Sequence, residues 1–432
     1  MTVDTNDQQD TRDRPFNPFR IAHSETAKTV VADVLNQLQN YEGRFKLRQR
    51  ARRPTDQKTF ERIVETAVCD LVHRELTHPG GWAAIPLSKQ VLSSKDRYRS
   101  PVLSKALPEV IKRMSSPEMS FVEFEKGHHS RQSNSDKPSR QSVIRAGKRL
   151  RARIQDSKLC LSDLGLDKYE ETIILRKKDE LSKKSLSLRY QDDAHTCMHR
   201  EQVLRINDWL EQADIGFDHA DNTGRPVDVN SRRLVRIFNN GSFQQGGRLY
   251  GGFWIPLSQQ QRLDGIVING CSAVSLDFGQ MAARTLYGMA GVTPSFDDAY
   301  KVPGLEKHRN TVKTVFNSML HASTRHTRLP IGSRGQLPRG VGADEVINAI
   351  TAFHSPIKDY FYSGRGMEVM FKESQILVEV LLRLIDEGVV ALPIHDAIIV
   401  SEEDANIARR TMLDVFYEHT GVAGQVEVEH RD

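Results

Sequence analysis

Through the first quarter of the chain, apolar positions recur every three or four residues, the spacing of amphipathic helices. One helix is predicted over 25–39. A firmer one spans 55–76, with Phe60, Ile63, Val64, Ala67, Val68 and Leu71 on one face, and is closed by His78-Pro79-Gly80-Gly81. A short helix follows over 87–92, then another in which Leu103, Leu107, Val110 and Ile111 share a face. Pro108 falls inside it, so that helix must kink or start later. The spacing then drops to two over 119–125, a strand. Helix, short helix, helix and strand is the order of a winged helix-turn-helix, and equally of an ordinary small helical domain. Arg97, Arg99, Lys105, Lys112 and Arg113 fall on or near the would-be recognition helix.

A polar stretch over 127–141 reads as a linker and domain boundary. Beyond it the pattern predicts a very basic helix over 143–154, a strand over 172–175 and a helix over 197–210. From 235 onward the texture changes to short apolar strands, glycine turns and strong helices (280–289, 306–322, 346–353, 367–387, 403–419), with a closing strand over 424–429. This is the pattern of an α+β domain with a mainly antiparallel sheet. The organisation expected is a disordered lead (1–24), a helical domain (25–126), the linker, a basic helical region (142–234) and an α+β domain (235–432).

Two aspartates interrupt apolar runs of that last domain: Asp277 in Val274-Ser275-Leu276-Asp277-Phe278 and Asp396 in Ile394-His395-Asp396-Ala397-Ile398. A carboxylate in a buried strand is costly unless paired or bound to a metal. Two of them suggest a shared divalent-cation site of the kind used in phosphoryl transfer. Between them, Arg309, Lys313, Asn317 and His321 recur every four residues and share one flank of the 306–322 helix. Two cations, an amide and an imidazole without an acid suit a triphosphate and its base or sugar. Upstream, Gly246-Gly247-Arg248 reads either as a close backbone approach beside a phosphate-gripping guanidinium or as a glycine hairpin with an exposed arginine.

Composition narrows the setting. The 432 residues carry a net charge of +5, with 27% charged and 38% hydrophobic residues, and no apolar run reaches membrane-spanning length. Four scattered cysteines argue against a disulfide framework and for a reducing, cytoplasmic compartment. His195, Cys197 and His199 have no fourth ligand nearby to make a zinc site. Basic clusters at 44–53, 140–153 and 176–184 are a common footprint of nucleic-acid binding, and also of solvated helix faces.

Assembled in order, these residues resemble the family A nucleic-acid polymerases, the bacterial DNA polymerase I type, together with the related bacteriophage single-subunit RNA polymerases. The first palm motif of that family, Asp-Tyr-Ser-Gln-Ile-Glu-Leu-Arg, is matched by Asp277-Phe278-Gly279-Gln280-Met281-Ala282-Ala283-Arg284. The fingers-helix pair is matched by Arg309 and Lys313, the final His-Asp-Glu by His395-Asp396-Ala397, and the strand-holding Gly-Arg by Gly247-Arg248. The resemblance spans about 243–429 and implies a right-hand palm with reduced helical fingers, behind a thumb-like 142–234. It also implies two Mg²⁺ ions on Asp277, Asp396 and the Phe278 carbonyl, with Arg309 and Lys313 neutralising the triphosphate. Gln280, Ala282, Asn317 and His321 would face the nucleotide, and Gly247, Arg248, Arg284 and His395 the nucleic acid.

The departures from the family concern the nucleotide. Ala282 replaces the glutamate that excludes a ribose 2′-hydroxyl, and His321 the tyrosine packed beside it. Asn317 stands in place of the aromatic that backs the base, with Phe316 one residue earlier, and Ala397 replaces the last glutamate. The expectation is a monomeric template-directed nucleotidyltransferase acting on a DNA template and primer with nucleoside triphosphates. It would lack proofreading and have altered sugar discrimination. An RNA polymerase or primase on the same scaffold is the alternative. A non-catalytic DNA-binding protein is a further one, against which the retained aspartates and cations speak.

Overall fold

The computed structural model describes residues 14–93, 96–128, 140–167, 170–179, 184–218, 227–337 and 340–431. Most of the expected 1–24 lead and 127–141 linker lie outside them. The chain divides into two compact units, Met1–Glu171 with Ala220–Ser231, and Thr172–His219 with Arg232–Asp432.

In the first unit, short strands β1 (Arg14–Pro15) and β2 (Arg20–Ala22) precede helices α1 (Glu25–Arg44) and α2 (Pro54–Thr77). Then come β3 (Ala83–Ala84), α3 (Lys89–Ser93), α4 (Leu107–Met114), β4 (Val122–Glu125), β5 (Val143–Ala146), α5 (Lys148–Asp156) and β6 (Leu164–Leu166). Ser24 caps α1 by accepting from the Ala27 amide. Pro108 sits in the first turn of α4, where its missing N–H costs nothing, so that helix starts later rather than kinking. The sheet runs β1-β3-β5-β4. Apolar faces of α1, α2 and α4 and the sheet enclose one core, with Val34, Leu38, Ile63, Leu71, Leu107 and Phe121 fully buried.

Two expectations fail here for the same reason. Residues 143–154 do not form one helix. Val143 and Ile144 pair with β4 and β3, and the helix begins only after Gly147. A Cβ at Gly147 would collide with the Ser120 backbone, so the strand-to-helix corner requires glycine. Because β4 and β5 pair antiparallel on either side of 127–141, that stretch joins two strands of one sheet and is not a boundary between units.

The second unit holds β7 (Ile173–Lys178), β8 (Ser185–Ser187), α6 (Ala194–Gln212), β9 (Ile215–Phe217), β10 (Leu234–Phe238), β11 (Gly246–Gly251), α7 (Gln259–Gly265), β12 (Ile266–Ile268) and β13 (Cys271–Phe278). It continues with α8 (Met281–Met289), α9 (Arg309–His321), α10 (Ala343–Phe353), α11 (Gly366–Asp386), β14 (Leu392–Ile394), β15 (Ala397–Ser401), α12 (Ala405–Thr420) and β16 (Val426–Glu429). β13 is the hub of the larger sheet. It pairs antiparallel with β12, β15 and β16, and the sheet extends to β14 at one side and β9 at the other. A smaller sheet orders β11-β10-β7-β8. Buried faces of α8, α9 and α10 form a separate helical core around Phe316 and Ile347.

Candidate functional site

Alternation along β13 sends Leu276 and Phe278 into the core and leaves Ser275 and Asp277 on the opposite face. The register sets Asp277 opposite Ala397 on one neighbour and Glu427 on the other. Asp396 is not inside a strand as expected. Ile394 pairs with Ala397, so His395 and Asp396 form the two-residue turn of the β14–β15 hairpin, with His395 at φ +54°. The turn is tied to β13 by the Phe278 amide, which donates to the Asp396 carbonyl at 3.3 Å. A hairpin turn therefore delivers one carboxylate beside another carried by the central strand.

The Asp277 carboxyl is pushed up to about 7, by burial first and then by the Asp396 charge, while Lys313 pulls the other way. Its Oδ1 is buried and accepts no hydrogen bond. An orphaned carboxylate oxygen beside a second carboxylate fits a divalent cation. Among the described residues no third His, Cys, Asp or Glu completes an all-protein cage. That donor set suits Mg²⁺, which keeps several of its waters.

Next to the pair lies a cavity of about 220 Å³ lined by Asp396, Lys313, Asn317, His321, Ala282 and Arg248, among others. α9 supplies three of these from one flank, because Val312, Val315, Phe316 and Met319 on the other are fully buried. Arg309, the first member of that stripe, does not line the cavity. Its Nε donates to Asp298 at 2.6 Å and its guanidinium lies 5.5 Å from the centre of the Tyr300 ring. Phe316 packs among Tyr300, His354 and Phe361 in the core and faces no ligand space. The His321 imidazole is held below its ordinary pKa by burial and by Arg248. It lies so close over Gly366 that a Cβ there would collide with the ring.

Several expected residues serve the framework. Gln280, left-handed at φ +60°, lines the cavity, yet its amide donates to Gln425 Oε1 (2.7 Å) and the Asp297 carbonyl (3.1 Å). Its oxygen accepts from the Ala299 amide (2.7 Å). Arg284 is buried and bonds the Ala423 and Asp297 carbonyls, both at 3.1 Å. Gly247, at φ +78°, owes its glycine to α11, since a Cβ would lie 2.8 Å from Ser374 Oγ. Its carbonyl accepts from the buried Arg236. His395 is exposed in its turn, outside the cavity lining.

Two cavity residues escaped sequence reasoning. Glu373 of α11 is buried, receives Arg248 Nη2 at 3.2 Å, and is nevertheless pushed up to about 7 by burial. Tyr300 is buried with its hydroxyl pKa raised, also by burial. A lone acid on the apolar face of a long helix was the available signal for Glu373. Tyr300 sits in a loop with no periodicity to mark it.

No family model and no curated protein matches the chain. Among solved structures, the POL domain of Pol1 from M. smegmatis, in complex with DNA primer-template and dNTP, aligns with 54% of this chain at 12% identity and a TM-score of 0.32. The aligned part spans 50% of that domain. A likeness at that level carries no argument about chemistry, and the reading of the site rests on its own residues. No described helix is long and apolar enough to cross a membrane.

Proposed function

We propose that the second unit is a template-directed nucleotidyltransferase of the family A polymerase type. The observation that carries this reading is the partnerless Asp277 oxygen beside Asp396, at a cavity also lined by Lys313, Asn317 and His321. Asp277 and Asp396, with the Phe278 carbonyl, would hold two Mg²⁺ ions. When bound, these supply activation of the primer 3′-hydroxyl and neutralisation of the leaving pyrophosphate. Lys313 balances triphosphate charge from the helix side, a role of electrostatics and positioning rather than proton transfer. Arg309 adds a second cation once it gives up Asp298. Asn317 and His321 face the base and sugar, and Arg248, steadied by Glu373, faces a nucleic-acid strand. In a primer-extension assay, Asp277→Ala and Asp396→Ala should each abolish synthesis and leave primer–template binding intact. Extension by either variant at the wild-type rate would refute the assignment.

One observation favours a ribonucleotide-using variant of this reading. Ala282 and His321 both line the cavity, where the family's bulkier glutamate and tyrosine guard the sugar. Burial keeps His321 neutral at physiological pH, so one ring nitrogen can accept from a 2′-hydroxyl. Extension with ribonucleotide and deoxyribonucleotide pools, with and without primer, separates a DNA polymerase from an RNA polymerase or primase. A strong deoxynucleotide preference would sink the ribonucleotide reading alone.

A further inference from the structure

The first unit carries a charged surface that the catalytic reading does not use. From the last residue of α1 to the start of α2 the chain runs Arg44-Phe45-Lys46-Leu47-Arg48-Gln49-Arg50-Ala51-Arg52-Arg53. Arg44, Lys46, Arg48, Arg50 and Arg53 are all exposed. Among the described residues no carboxylate pairs with any of them. Arg52 is the exception, turned inward onto the buried Glu42 at 2.5 and 2.7 Å. Glu42 also receives Arg113 of α4, which in turn holds Glu109. The inward arginines thus take up Glu42 and Glu109 and fix the loop to α4, and the outward cations outnumber the exposed Asp56 that lines the same cleft as Arg48. Loop and helix border one cleft of about 160 Å³, lined by Arg48, Arg52, Asp56, Glu109, Val110 and Arg113. Lys112 is exposed on α4.

This separates the 43–53 loop from the other basic clusters of the unit. At 140–153, Arg145 and Arg151 both grip Glu123, Arg140 holds Glu125, and Arg149 donates to the Glu118 carbonyl. Arg140, Arg145 and Arg151 are thus held by carboxylates, while Arg149 and Arg153 meet neutral oxygens and Lys148 is exposed. In the loop, only Arg52 is so held.

We propose that the 43–53 loop and the adjoining face of α4 form a second nucleic-acid surface, which engages the phosphate backbone of duplex DNA independently of the catalytic cavity. Exposed cations spaced two residues apart suit a run of phosphates, and release of the condensed counterions drives such binding. The exposed Phe45 (48%) and Leu47 (43%) alternate with the cations, as side chains that pack against sugars do. The flanking elements run α2-β3-α3-α4-β4-β5, with β5 between β3 and β4, and the cleft shared by Arg48 and Glu109 sets α4 beside the loop. An anionic membrane is less suited, because the segment is a loop without the wide apolar face of an interfacial helix. Base readout is not part of the proposal, since α4 exposes Glu109 as well as Lys112.

The test uses the full chain and the variant Lys46→Ala/Arg48→Ala/Arg50→Ala, with circular dichroism to check folding. The probe is a dumbbell duplex closed at both ends, which offers no 3′ terminus to the catalytic unit. The variant should lose at least about tenfold in affinity, and its log–log salt slope should shrink by about 3, near 0.9 for each phosphate contact removed. Primer extension at saturating primer–template should be unchanged. Unaltered dumbbell affinity and slope would overturn the proposal. So would loss of phosphatidylserine-vesicle binding with the dumbbell unaffected. Loop-dependent dumbbell binding by a protein that never extends a primer would sustain this surface and refute the catalytic reading, so the two fail separately.

Discussion

Asp277 is a carboxylate that the fold holds near half-protonation at neutral pH. Its folded pKa lies above the unfolded value near 3.9, so the folded state binds more protons between the two. Metal-free protein therefore loses stability as pH rises from about 4 to about 7, and the cost is constant above that. Asp277→Asn should raise the melting temperature more at about pH 8 than at about pH 5, and should abolish the stabilisation by Mg²⁺. In the wild type that Mg²⁺ stabilisation should grow with pH. Scanning fluorimetry reads all of this, and an Asn variant no more stable than wild type at the higher pH would contradict it. Ala282 permits a second test at this scale. Ala282→Glu places a carboxylate in the cavity and should reduce ribonucleotide incorporation at least about tenfold relative to deoxyribonucleotide, a difference of about 1.4 kcal/mol. An unchanged ratio would remove Ala282 from sugar choice. Both positions could be read from the sequence, since each breaks a local rule or a family motif. Glu373 carried a similar signal, an acid on an apolar helix face, but its partner Arg248 lies 125 positions away and could not be read.

At the scale of elements, long amphipathic helices were legible and short strands less so. The stripe of α9 followed from spacing alone, and the helix delivers three of its four members to one cavity. The fourth differs because Asp298, in the loop ahead of the helix, captures Arg309. No periodicity marks that loop carboxylate. The pair competes with any phosphate for the guanidinium. Asp298→Asn should therefore lower the apparent KM for nucleotide a few-fold at unchanged kcat, whereas Arg309→Ala should raise it. Combining the two should erase the benefit of the first. A lower KM in the double variant would show that Asp298 acts through something other than Arg309. The strand β5 was missed for the complementary reason: its partners β3 and β4 decide its conformation, against a run of helix-favouring basic residues.

For the whole molecule, the texture change near 235 falls inside the second unit, which begins at Thr172, and the division into units could not be read along the chain. Residues 227–231 return to the first unit from within the second. What holds them is a buried charge network. Asp228 Oδ2 meets His73 Nε2 at 2.8 Å and Arg20 Nη1 at 3.2 Å, while the fully buried Asp70 takes Arg14 at 2.7 Å. Burial would raise the Asp228 pKa, but His73 and Arg20 more than offset it. Burial depresses that of His73. Asp228→Ala leaves Arg20 and His73 buried beside an empty position, and should destabilise the first unit by about 3–5 kcal/mol. The pH dependence follows from His73. With a folded pKa below its unfolded value near 6.5, it favours folding fully above that pH and progressively less below it, because only the unfolded chain takes up the proton. Wild-type protein should thus lose stability in the first unit on acidification from about pH 7 to about pH 5, and His73→Gln should flatten that slope. Calorimetry of the full chain, with limited proteolysis to assign each transition, measures both effects. If Asp228→Ala left every transition in place, the network would be incidental, and another contact would have to hold this segment in the first unit.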